Sequence, residues 1–140
     1  MNGLLITRET DYALRILRAL SDGELLTAKA LAQKEAVPHQ FAYKILKKLE
    51  GAGLIRITRG TGGGCRLTAD LRQVSLYDLM GAVGEDTLLI SCMMPDYQCT
   101  RPQENPRCAV HYRLCDIQKT VDRELQSHTV HWLLFGPKQD

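Results

Sequence analysis

Residues 54–67 read L-I-R-I-T-R-G-T-G-G-G-C-R-L, with four glycines in the five positions 60–64. Each interior glycine costs a helix roughly 1 kcal/mol relative to alanine, so no helix spans this stretch. The flanks alternate instead. Ile55 and Ile57 interleave with Arg56 and Thr58, and Cys65 and Leu67 with Arg66 and Thr68. Two short strands about a glycine tip predict a β-hairpin. The run lacks the Lys-Ser/Thr of a phosphate-binding loop, which argues against a nucleotide site.

Three helical patterns precede the hairpin. In T-R-E-T-D-Y-A-L-R-I-L-R-A-L, Tyr12, Leu14, Ile16, Leu17 and Leu20 lie close to one stripe, and Asp22-Gly23 ends it. Thr27 is placed as N-cap of the short helix A-K-A-L-A-Q-K-E. Pro38 opens a third helix, H-Q-F-A-Y-K-I-L-K-K-L-E, which Gly51 and Gly53 close. Its Phe41, Ile45, Leu46 and Leu49 face inward, leaving His39, Gln40, Tyr43, Lys44, Lys47 and Lys48 outward. Helix, short helix, helix and hairpin in that order predict a mainly α fold with a small β-hairpin wing: a winged helix-turn-helix over residues 1–73.

Charge points the same way. Residues 1–73 hold 12 Lys/Arg against 7 Asp/Glu, whereas residues 74–140 hold 6 against 9. Between 38 and 66 there are six basic residues and one acid, Glu50. The basic region is the expected surface for double-stranded DNA. Arg59, at the base of the hairpin tip, suits a phosphate or a narrow minor groove.

The second half, 74–140, opens with Ser75 capping L-Y-D-L-M-G-A-V. A loop broken by Pro95, Pro102 and Pro106 follows, and from about Arg107 the pattern is helical again. Val110, Leu114, Ile117, Val121 and Leu125 form a long narrow seam. Such a seam predicts a dimerisation helix, and a homodimer matches a pseudo-palindromic operator.

Four of the five cysteines, Cys92, Cys99, Cys108 and Cys115, lie in that loop and helix. At about 100° per residue, Cys108, His111 and Cys115 share a face within about 60°, roughly 100° from the seam. Thiolates beside an imidazole favour zinc or an iron–sulfur cluster. The gaps of six and eight residues between the first three cysteines fit a bulky, open cluster better than closed tetrahedral zinc. Residues 1–10 are too short and polar for a secretion signal, and no run is long enough to span a membrane. The expected location is the cytoplasm, where thiols stay reduced. No Ser/His/Asp set or paired catalytic carboxylates point to an enzyme.

The segments T-D-Y-A-L-R (10–15), K-I-L-K-K-L-E-G-A-G-L-I (44–55), R-G-T-G-G-G (59–64) and the cysteines 92, 99 and 108 resemble one family. It is the winged-helix regulators that include the iron–sulfur assembly regulator IscR, the nitric-oxide sensor NsrR and the cysteine regulator CymR. The resemblance covers nearly the whole chain. It implies a dimeric transcription regulator that binds DNA through Thr27, His39, Gln40, Phe41, Tyr43, Lys44, Lys47, Arg59 and Thr61. It also implies a cluster on Cys92, Cys99 and Cys108, here expected as 4Fe–4S with 2Fe–2S as the alternative. Asp11 of the partner subunit matches the nitric-oxide sensors' fourth ligand, and His111 matches that of the assembly regulators. Cys115 is a third candidate with no family counterpart. Two features depart from the family: the wider cysteine gaps, and Cys65 where a tyrosine is usual. The expected signal is nitric oxide, redox state or iron supply acting on a repressor, the alternative being a thiol or zinc switch without iron.

Overall fold

The computed structural model describes residues 5–100 and 108–137. Helix α1 (Arg8–Leu20) buries Ala13, Ile16, Leu17 and Leu20, the 3-and-4 spacing of one helical face. Tyr12 and Leu14 flank that face, partly buried. Helix α2 (Ala28–Glu35) starts at Thr27, whose hydroxyl accepts from the Ala30 N–H at 3.1 Å. A tight turn leads to α3 (His39–Gly51), with Ala36 in the left-handed region at φ 54° and Pro38 as N-cap. A side chain there costs about 1–2 kcal/mol. Buried Val37 beside it draws the turn onto the core.

The hairpin is β1 (Ile55–Thr58) and β2 (Gly64–Leu67), antiparallel, with Ile55 opposite Leu67 and Ile57 opposite Cys65. Leu26 and Cys65 exchange backbone hydrogen bonds of 3.0 and 2.7 Å, so the loop before α2 ties down the wing. Cys65 is 2% exposed within the core. Burial, and then the Glu50 charge, push its thiol above the ordinary value, which favours the protonated form. It packs as a small apolar residue of the strand.

Ser75 begins α4 (Leu76–Ala82) with a full capping box closed by Asp78. The long helix is α5 (Ala109–Ser127). Cys108 is its N-cap, in extended backbone, and so sits just before the helix and not on its face. Arg107, Pro102 and Pro106 lie outside the described residues. A short helix that the sequence pattern did not announce, α6 (Val130–Phe135), follows the Thr129 cap. It returns the chain to the core: Leu76 N–H donates to His128 O at 2.9 Å and Val130 N–H to Val74 O at 2.8 Å. Val130 is fully buried in the cluster that holds α1, α3 and α4, so one core runs across the boundary at 73/74. Among the described residues no helix is long and apolar enough to cross a membrane.

The wing tip depends on glycine. A Cβ on Gly63 would lie 2.1 Å from the Thr58 carbonyl oxygen, and Gly60 and Gly62 take positive φ. Gly63→Ala is expected to open the hairpin and destabilise the chain by about 1–3 kcal/mol. Chemical denaturation measures the loss. A wild-type midpoint would show that the tip adjusts without cost.

Candidate nucleic-acid interface and thiol cluster

Eight of the nine residues expected at DNA are exposed: Thr27, His39, Gln40, Tyr43, Lys44, Lys47, Arg59 and Thr61. Phe41 is half-buried, its ring 5.6 Å from that of Tyr12. His39 and Tyr43, one turn apart, pack edge to face at 4.9 Å. A cleft of about 520 Å³ runs between α3 and the wing, lined by Thr27, Tyr43, Lys47, Thr58 and Arg59 among others.

The three lysines of α3 are not equivalent. Glu9 on α1 receives Lys44 Nζ at 2.9 Å and Lys48 Nζ at 2.7 Å. Lys48 also donates to the Val83 carbonyl at 2.9 Å. Hydrogen bonds from Lys44, then Lys48, hold the Glu9 carboxyl below its usual range. Lys47 makes no ion pair among the described residues. Glu9 was missed in the sequence because its partners lie 35 and 39 positions away. Beside it, the fully buried Thr10 donates its hydroxyl to Glu85, tying α1 to the loop after α4.

Helix α5 turns a polar stripe inward. His111, Cys115, Gln118 and Asp122 recur at spacings of four, three and four, and Gln118 is the helix's one buried residue. Its amide donates to the Thr87 carbonyl at 2.8 Å and to Asp122 at 2.8 Å, and accepts the Leu89 N–H at 2.7 Å. Thr87 closes the set by donating to Asp122 at 3.1 Å. These bonds pin residues 87–89 onto α5. Three residues later, in the turn Ser91–Met93, Cys92 Sγ reaches His111 Nδ1 at 3.2 Å. The opposite ring nitrogen, Nε2, lies 3.5 Å from Cys115 Sγ. Cys108 is half-buried at the helix N-cap, and Cys99 is exposed in the loop. The structure thus brings Cys92, His111 and Cys115 together. Thiol and imidazole donors have the softness that zinc or an iron–sulfur group requires. Among the described residues no three His, Cys, Asp or Glu side chains converge as the ligands of a single metal ion would. Asp11, half-exposed on α1, pairs with Arg15 of its own helix at 3.2 Å. Gln118 was legible in principle, being in phase with His111 and Cys115.

The apolar seam faces elsewhere. Val110 and Ile117 are 61% and 53% exposed, and Leu114, Val121 and Leu125 are half-buried. Inside one chain, therefore, α5 buries Gln118 and leaves its apolar seam open at Val110 and Ile117.

A basic helix beside a glycine-tipped hairpin, carried by a three-helix core, defines a winged helix-turn-helix regulator. The family described as "Rrf2: Iron-dependent Transcriptional regulator" matches residues 6–135, and the chain belongs to that family. It is accordingly a transcriptional regulator and not an enzyme. The transcriptional repressor NsrR of Streptomyces coelicolor is 31% identical over 136 residues, covering 94% of this chain and 89% of the relative. The fold matches CymR, the global cysteine regulator of B. subtilis, with a TM-score of 0.70 at 21% identity over 97% of this chain and 100% of that one. It also matches T. potens IscR, with a TM-score of 0.65 at 17% identity over 94% and 87% of the two chains.

Replacing Gln118 with Ala leaves the Leu89 N–H and the Thr87 carbonyl unpaired, at an expected cost of about 1–3 kcal/mol. The loop carrying Cys92 should loosen with it. Cys92 in Gln118→Ala is expected to be alkylated several-fold faster than in wild type, as peptide mapping would show. An equal rate would mean that the clamp does not position that thiol.

Proposed function

We propose that the protein is a dimeric DNA-binding repressor whose operator affinity is set by an iron–sulfur cluster on Cys92, Cys99 and Cys108, with Asp11 of the partner subunit as fourth ligand. The observation that carries this reading is α5 itself, whose Val110 and Ile117 stand exposed for a second copy while Cys108 caps its N-terminus beside the loop of Cys92 and Cys99. The exposed His39, Gln40, Tyr43, Lys47, Arg59 and Thr61 fit a recognition helix and wing. Gln40 and Tyr43 suit base edges, while Lys47 and Arg59 suit phosphate or the narrow groove. Bound there, the cluster supplies a group open to attack by nitric oxide or oxygen, most readily where a weak oxygen ligand completes the set. The chain's own part is mechanical. Asp11 stands on α1, which packs on α3, so an Asp11 ligand to a cluster held by the partner subunit would fix the distance between the two recognition helices. That distance must match the half-site separation.

His111 between two thiols favours a second reading: the same cysteines working as a thiol or zinc switch. Anaerobic purification separates the two. Iron with acid-labile sulfide in a brown protein supports the cluster, and zinc or metal-free thiols in a colourless one support the switch. In the cluster reading Cys99→Ala loses iron, Asp11→Ala alters the visible spectrum or the rate of cluster loss, and His111→Ala does neither. If His111→Ala disrupts the chromophore while Asp11→Ala is silent, the ligand is the histidine and a 2Fe–2S site takes precedence.

The dimer has its own test. Val121→Asp sets an unpaired charge in the seam, at a cost of several kcal/mol. Monomers or insoluble protein are expected, and a soluble dimer in sedimentation would place the interface elsewhere.

A further inference from the structure

Lys44 and Lys48, one turn apart on α3, both spend their charge on Glu9, with Lys44 on Oε1 and Lys48 on Oε2. This is how two cations grip a phosphate: one anionic group with two acceptor oxygens, each taking one ammonium. Glu9 is 22% exposed, whereas Lys44 is 56% exposed on the face expected to meet DNA. The two lysines differ in what else holds them. Lys48 keeps the Val83 carbonyl if Glu9 leaves, but Lys44 has no second partner among the described residues.

We propose that Glu9 is an internal phosphate surrogate, a carboxylate that occupies Lys44 and so withholds one phosphate contact from DNA until it is displaced. The proposal rests on α3 being the DNA-reading helix. It makes affinity depend on where the first turn of α1 sits. That turn carries Asp11 two residues on, and its Thr10 is tied to Glu85 at the start of the loop leading to Cys92. A shift of α1 therefore reaches the DNA face as a change in the charge available there.

A purely structural ion pair makes the opposite forecast. If Glu9 only fastens α1 to α3, Glu9→Gln weakens DNA binding by disordering the helix. If Glu9 is a surrogate, Glu9→Gln tightens it. The experiment is a salt titration of full-length protein against a fluorescent mixed-sequence duplex of about 30 base pairs, followed by anisotropy. One regained phosphate steepens the slope of log affinity against log salt by about 0.9, which is roughly eightfold tighter binding at about 0.1 M salt. Lys44→Ala in the wild-type background should cost less affinity than Lys47→Ala, because Glu9 already holds that lysine. The same change in Glu9→Gln should abolish the gain. The Lys44→Ala arm also stands alone if Glu9→Gln does not fold: a loss as large as that of Lys47→Ala overturns the surrogate. So does an unchanged or weaker Glu9→Gln while Lys47→Ala still reduces binding, and in that case the DNA reading stands. If neither wild type nor any variant binds the duplex at about 50 mM salt, the DNA reading falls and takes the surrogate with it.

Discussion

Ala13, Ile16, Leu17 and Leu20 seal one face of α1 from water, and the rest of the fold leans on that face. Each large side chain there contributes about 1.5–3 kcal/mol by burial. Ile45 and Leu49 of α3, Cys65 of β2, Leu79 of α4 and Val83 at its C-cap, and Val130 of α6 belong to the same cluster. A single helix thus supports both the putting-together of a DNA-reading surface and the docking of the segment that carries the thiols. Disturbance at either is felt at the other, because α1 has no second face on which to re-pack without exposing this one.

Legibility followed sequence separation. The helices of the first half with the Thr27 cap, the hairpin, and the Ser75 cap of α4 could be read because each depends on neighbours a few positions apart. Ile45, Leu46 and Leu49 were placed in the core by periodicity and lie there. Distant contacts decided what could not be read. Nothing local marks Glu9 as the partner of two lysines on another helix, so all three lysines of α3 looked alike. Helix α6 is only six residues long and owes its place to Val130 entering a core built by other segments. Cys108 was assigned to a helical face, yet its backbone is extended, and Ala109 is the first helical residue.

The thiol region shows the same division. Periodicity put His111 and Cys115 on one face, and the structure keeps them there, with Cys92 brought across by the bonds of Gln118 and Thr87. That a glutamine would be the buried anchor of a surface helix follows from its phase but not from its chemistry. An apolar residue would bury equally well, but it could not bind the Leu89 N–H and the Thr87 carbonyl at once. The polar stripe fixes a backbone, and the seam beside it stays exposed at Val110 and Ile117.

The paired hydrogen bonds between residues 74–76 and 128–130 have a consequence for how this chain tolerates change. They join the two ends of the stretch from Val74 to Val130, so the chain that departs from the core after Val83 rejoins it at Val130. Lengthening such an excursion is cheap, since doubling a flexible closed loop costs only about 0.6 kcal/mol. Cysteine gaps of six and eight residues can therefore vary with little penalty to the helices and wing that share the core. The cysteine-bearing segment can change in length while the winged helix keeps its shape.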